Sequence, residues 1–200
     1  MDNKGSYMNH RIIFILSLVF YLSGCGINNI PAYDEQVSAS WSQVINQYQR
    51  RDELIPNLVD TVKAYAKHEN TVLVEVTKAR SKVLDMQLPD DITSNKNAMN
   101  KYQAFQDQLG NSLSRLLLVV ERYPELTSNS NYLALQSQLE GTENRIAIAR
   151  RDYIKAVQLY NTELRTYPGK IWKSVLYNDA VLKETFTASD AVEKVPVVNL

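Results

Sequence analysis

An all-α fold is predicted for this chain: an antiparallel bundle of three long helices, a short fourth helix and an extended C-terminal tail. Three observations predict it. Glycine is scarce, six in 200 residues, and beyond Gly26 only Gly110, Gly141 and Gly169 remain, too few for the turns of a β-rich or dinucleotide-binding domain. Apolar residues recur at alternating steps of three and four over long stretches, the period of helices that face partners. Pro89, Pro124 and Pro168 fall in polar breaks between those stretches, where the ring and its missing N–H stop or start helices. With 44% apolar residues the chain can bury one sizeable core. The 22 basic and 22 acidic residues cancel, so the total announces no polybasic face, and nucleic acid is not an expected partner.

The first element is a leader. Lys4, His10 and Arg11 precede an eleven-residue apolar run, Ile12 to Leu22, interrupted by one serine. As a helix this covers roughly half of a ~30 Å hydrocarbon layer, which suits the core of a signal peptide better than a membrane span. The run closes on Leu22-Ser23-Gly24-Cys25, which resembles the bacterial lipobox. Small residues let the backbone lie extended in a protease groove, with the cut between Gly24 and Cys25. The Cys25 thiol is the nucleophile that takes up diacylglycerol, and the new amino group can carry a third chain. Each buried CH₂ contributes about 0.8 kcal/mol, so two or more chains anchor stably where one would not. The competing reading is a chance Gly-Cys after an uncleaved anchor. Residues 1–24 are therefore expected as a lipoprotein signal peptide, 25–32 as a lipidated tether and 33–200 as the bundle. Gly26 after the cysteine, in place of Asp, favours the outer membrane facing the periplasm if the host is Gram-negative. Cys25 is the single cysteine, so the chain can form no internal disulfide and no cysteine metal cluster.

The first long helix is expected from about Tyr33 to Met86, its stripe running through Val37, Trp41, Tyr48, Ile55, Val62, Val76 and Val83. Pro56 lies inside that stripe and predicts a kink or a break. The second spans about Asn95 to Tyr123, with Tyr102, Phe105, Leu109, Leu113 and Val120 inward; the third spans about Asn131 to Tyr167, with Leu139, Ile146, Tyr153, Tyr160 and Tyr167 inward. Short loops make sequential helices antiparallel neighbours. A fourth helix is expected over Lys170 to Asn178, with Ile171, Trp172 and Leu176 packing back. Asp190 to Leu200, with Val195-Pro196-Val197-Val198, suits a strand-like strap.

Polar residues interrupt the stripes at Arg51 or Asp52 and at Glu69 in the first helix, and beside the stripe at Glu143, Arg145 and Arg150 in the third. If the helices run up-down-up, the first and third are parallel, and Asp52 falls near the level of Glu143 and Arg145. One reading is a ligand or metal pocket. The di-metal bundle pattern needs Glu-x-x-His on two helices, and beyond residue 25 only His68 is present; His68-Glu69 also lacks the second histidine of a zinc helix. The preferred reading is a network of ion pairs that fixes helix register and is costly to break singly. No metal or cofactor is expected. A phosphate loop, a Gly-x-Ser-x-Gly elbow and a nucleophile–base pair at recognisable spacing are all missing.

Several separated strings resemble the LemA family: Asn46-Gln47-Tyr48-Gln49-Arg50-Arg51-Asp52-Glu53-Leu54-Ile55-Pro56-Asn57, Ala66-Lys67-His68-Glu69, Tyr123-Pro124-Glu125-Leu126, Leu139-Glu140-Gly141-Thr142-Glu143-Asn144-Arg145-Ile146-Ala147, Tyr160-Asn161-Thr162 and Tyr167-Pro168. The resemblance runs from about Tyr33 to Leu200. It implies a bundle of long helices held at a membrane and projecting from it, without established catalysis. Many relatives of that kind look anchored by an N-terminal transmembrane helix, whereas this chain ends its apolar run in Leu-Ser-Gly-Cys. The function expected is a lipid-tethered scaffold or adaptor of the cell envelope, acting on an unidentified envelope protein or on itself. The alternatives are a ligand- or metal-binding module and, with least support, a hydrolase of unfamiliar geometry.

Overall fold

A computed structural model describes residues 26–187. Its helices are α1 (Asn29–Tyr65), α2 (Asn70–Leu84), α3 (Lys96–Val120), the single turn α4 (Pro124–Thr127), α5 (Ser130–Arg165) and α6 (Gly169–Val175), with a 3₁₀ turn at Ile92–Ser94. The described residues contain no strand. Asn95 starts α3 by accepting from the Ala98 N–H at 3.1 Å, and Asn129 starts α5 by accepting from the N–H groups of Asn131 and Tyr132 at 2.9 and 3.1 Å. Each satisfies helix-end donors that have no partner within the helix. Pro124 occupies the first position of α4, where its missing N–H costs nothing.

The expected first helix is two helices. Pro56 does not break it: α1 continues through the ring to Tyr65. The chain turns instead at residues 66–69, which contain neither glycine nor proline. This turn is held from outside. The Glu69 carboxylate accepts from Arg122 Nη2 and from the Tyr123 hydroxyl, both at 3.0 Å, and Asn129 Nδ2 donates to the Tyr65 hydroxyl at 2.9 Å. Helix α1 also starts at Asn29, ahead of Tyr33, so residues 29–32 are helical and Ile30 is buried.

The extra turn changes the topology. α1 runs along α5, and α2 runs along α3. Asn29 meets Glu163, Arg51 meets Glu143 and Tyr65 meets Asn129, so α1 and α5 are antiparallel, not parallel as three helices would require. Glu75 faces Arg115 and Lys82 faces Gln108, which makes α2 and α3 antiparallel too. The result is an up-down-up-down bundle. At about 1.5 Å per residue, α1 with its 37 residues spans about 55 Å.

Val37, Val44, Tyr48, Ile55, Leu58 and Val62 of α1 are buried against Leu139, Ile146, Tyr153, Val157 and Tyr160 of α5 and Met99, Tyr102, Leu109 and Leu116 of α3. Trp41, Tyr102, Tyr153 and Phe186 form an aromatic cluster with centroids 5.3–6.0 Å apart, two pairs edge-on, Trp41–Tyr153 tilted and Trp41–Phe186 stacked, arrangements within the range that aromatic pairs adopt. Phe186 belongs to a strap after α6 whose peptide groups are held by side chains. Asn161 donates to the Lys183 carbonyl and accepts from its N–H, at 2.8 and 2.9 Å. Gln103 does the same for Thr187, at 2.6 and 3.1 Å, and the Tyr153 hydroxyl donates to the Glu184 carbonyl at 2.8 Å. A strap therefore lies on the bundle ahead of the expected one; Asp190 to Leu200 fall outside the described residues.

The fourth helix also differs from expectation. It ends at Val175, Trp172 packs against the core in part, and Ile171 and Leu176 face solvent at 47% and 52% exposure. Tyr167, expected inward, is 73% exposed.

Candidate functional site

Halfway along the bundle the apolar stripes of three helices are replaced by polar side chains. Arg51 of α1 is 3% exposed. Its Nη1 donates to Glu143 Oε1 of α5 at 2.9 Å, its Nη2 donates to Gln106 Oε1 of α3, and its guanidinium lies 5.3 Å from the Tyr48 ring centroid. Two turns further along α5, Arg150 reaches Asp107 Oδ1 at 3.7 Å and stacks over Phe186 at 4.4 Å. Two cations face two carboxylates, and the layer is neutral. These residues line a cleft of about 290 Å³. The Tyr48 hydroxyl, Arg51 Nε, Gln106 Nε2 and Asp52 Oδ1 are buried with no hydrogen-bond partner among the described residues.

Asp52 is 6% exposed, yet it lies beside this cluster rather than in it. Its backbone carbonyl accepts from Arg80 Nε of α2 at 3.0 Å. Burial pushes its carboxyl up to about 6, opposed by Arg51 and Arg80 and assisted by Glu53, because removing solvent disfavours the charged form. Burial likewise raises the Tyr48 phenol above its ordinary value, with Arg150 and Arg51 opposing, which keeps it protonated and un-nucleophilic.

The polar residues singled out in the sequence thus separate. Arg51 and Glu143 meet, and Arg150 joins their layer through Asp107. Arg145 lies on the outer side of the α1–α5 seam, where its Nε donates to Gln47 Oε1 at 3.2 Å and its Nη2 to Thr142 Oγ1 at 2.9 Å. Glu69 is at the far turn, about 20 Å along α1 from Arg51 by helical rise, bound to Arg122 and Tyr123. Pro56 is exposed, one turn after Asp52 on α1. Gly24 and Cys25 fall outside the described residues. The sequence reading missed Gln106, which accepts from Arg51, and Gln103, which holds the strap. A signal was present: Tyr102, Gln106 and Leu109 are spaced four and three, so Gln106 occupies a core position of α3 and is buried there.

No group of three or more His, Cys, Asp or Glu among the described residues could hold a metal ion. No helix among them is long and apolar enough to cross a membrane. Arg51 ties α1 to α5 and α3 at one level.

A family model described as the LemA family matches residues 40–200. Among characterised proteins, the chain is 27% identical over 183 residues to magnetosome protein MamQ 2 of Paramagnetospirillum magneticum, covering 82% of this chain and 67% of that protein. It is 25% identical over 183 residues to magnetosome protein MamQ of Magnetospirillum gryphiswaldense, with the same coverage. It is 26% identical over 194 residues to protein LemA of Metamycoplasma hominis, covering 93% of this chain and 80% of the relative. With a family match over most of the chain and the strings around Arg51, Glu69, Glu143 and Asn161 all placed in the bundle, this protein belongs to the LemA family.

Proposed function

We propose that the protein is a non-catalytic scaffold or adaptor of the bacterial envelope, tethered to a membrane by lipid on Cys25 and presenting a rigid helical surface to another protein. The observation that carries this reading is where the bundle begins. α1 starts at Asn29, four residues after the lipobox cysteine, and runs about 55 Å in one direction. A tether at Cys25 holds such a rod by one end and offers its sides and far turn to partners. The polar groups between the helices serve register: the ion pairs join one helix to another, the layer is neutral, and the buried Tyr48 phenol is held in its protonated form. Relatives named as magnetosome proteins are consistent with structural work in a bacterial compartment.

The test is metabolic labelling with palmitate and membrane fractionation, wild type against Cys25→Ser. Wild type takes up label and the variant does not. In-cell crosslinking then identifies the contact. Only self-contacts, with nothing enriched over an unrelated lipoprotein, would leave an oligomer and remove the adaptor.

One observation favours a second reading. The cleft between Arg51, Gln106, Asp107 and Arg150 has unpartnered buried polar atoms in its wall, as a small polar ligand would require. Native mass spectrometry decides: a ligand mass that disappears in Gln106→Leu supports a ligand module, and no mass beyond that of the acylated polypeptide supports the scaffold.

A further inference from the structure

The strap after α6 has a direction. Asn161 binds the N–H and the carbonyl of Lys183. The Glu184 N–H donates to the Thr93 carbonyl at 2.7 Å, and the Glu184 carbonyl accepts from Tyr153. Gln103 then binds the N–H and the carbonyl of Thr187. The anchors on α5 thus fall from 161 to 153 and, through Phe186 under Arg150, to 150, while those at the start of α3 rise from 93 to 103. The strap runs in the groove between α3 and α5, away from α6. Phe186 is buried and Thr187 exposed, the alternation of an extended segment lying on a surface.

The groove continues past Thr187. One turn beyond Gln103 it opens into the cleft of about 290 Å³ between Asp107 and Asn111 of α3 and Glu143 and Arg150 of α5, with Tyr48 and Arg51 of α1 beneath. Gly110 stands in the α3 wall of this cleft. A Cβ there would meet only Arg51 Nη1, at 3.9 Å, beyond its own helix backbone. Glycine weakens a helix interior, and no described neighbour requires it; a second backbone passing close to α3 would. The Tyr48 hydroxyl and Arg51 Nε are buried donors without a partner among the described residues. Arg150 approaches Asp107 only to 3.7 Å, so its guanidinium has N–H groups to offer another acceptor.

We infer that residues 188–191 carry the strap on through this cleft, so that the chain covers its own polar layer. Four extended residues span about 13 Å, and the eight residues of α3 from Gln103 to Asn111 rise about 12 Å, so the lengths match. The residues are Ala188, Ser189, Asp190 and Ala191, small enough for the space. The alternation that turns Phe186 inward turns Ala188 and Asp190 inward too. The Asp190 carboxylate then lies opposite Arg150 and brings acceptor oxygens to a cleft with donors to spare. A segment joined at Thr187 reaches the cleft at an effective concentration that a separate molecule lacks, which favours it over a second copy or a free ligand. The inference stands apart from acylation of Cys25. Its consequence is mechanical: α3 and α5, each packed on a different helix, are joined along the cleft, and the polar layer is closed to solutes.

Photocrosslinking in the full-length protein tests this. p-Benzoylphenylalanine replaces Asn111, an exposed residue at the rim, or, as a control, the exposed Val74 of α2. The probe-bearing chain is produced together with a second copy in which Val192→Ile marks the tryptic segment 184–194 by mass. The expected result is a crosslink from the probe at 111 to residues 188–191 of its own unmarked segment and none from the probe at 74. Asp190→Asn should lower the yield severalfold. Crosslinks to the marked segment would show exchange between copies and overturn the contact within one chain. No crosslink to 188–191, or a yield unchanged by Asp190→Asn, in protein with the helical circular dichroism of wild type, would overturn the proposal.

Discussion

Arg51 is tightly constrained, because its guanidinium is buried at 3% exposure and depends on two partners from different helices. Glu143 is half exposed, so solvent weakens the pair, but removing its charge leaves the arginine buried with Gln106 alone. Glu143→Gln is therefore expected to cost about 1–2 kcal/mol in denaturant unfolding, and a double-mutant cycle with Arg51→Met should return a coupling of about 1 kcal/mol or more. Additive effects would mean the pair does not hold the register. Asp52 behaves in the opposite sense. Its folded carboxyl titrates at about 6, above the ~3.9 of an unfolded chain, so the folded state binds the proton more tightly. The contribution of this site to stability is greatest below about pH 4, falls as pH rises through about 6, and is a penalty of up to about 3 kcal/mol at pH 7. Asp52→Asn should be neutral or stabilising at pH 7 and should flatten that slope; equilibrium unfolding at pH 4, 5, 6 and 7 checks it. A variant less stable at pH 7 with an unchanged slope would show that the carboxylate is held charged.

At the scale of elements, the strap is where a small change reaches furthest. Asn161 and Gln103 each satisfy a whole peptide group of the strap, and Phe186 fills the cluster under Arg150. Phe186→Ala is expected to cost about 3 kcal/mol, and Asn161→Ala should raise amide exchange across residues 181–187 while leaving α1 protected. Uniform exchange changes along the whole chain would contradict a separately held strap. The strap at 181–187 was not legible in the sequence, because the amides that hold it lie 22 and 84 residues away. The long helices were legible because their stripes keep step with 3.6 residues per turn. The turn at 66–69 was not, for a specific reason: Val62, Ala66, Leu73 and Val76 stay in phase across it, so periodicity reads one helix through a place where there are two. Glu69, the one polar member of that stripe, marked the spot. Its partners Arg122 and Tyr123 could be identified only once the bundle was folded. Asp52 was expected near the level of Glu143 and Arg145 through a parallel pairing of their helices; its neighbour Arg51 meets Glu143 instead, across an antiparallel one.

For the whole molecule, the positions of its two ends matter more than any one contact. One end gathers the start of α1, α6 and the exposed Tyr167 and Val175; the other gathers the 66–69 turn and charged residues such as Lys67, Glu69 and Arg122. On the proposal that Cys25 is lipidated, the tether would turn the difference between the two ends into an orientation relative to a bilayer. The central claim is that acyl chains on Cys25, not a retained apolar segment, hold the protein to its membrane. Intact-mass spectrometry of wild-type protein extracted from membranes tests it most directly. The account predicts a polypeptide beginning at Cys25 and carrying at least a diacylglyceryl group; a chain that retains residues 1–24 with an unmodified thiol would contradict it.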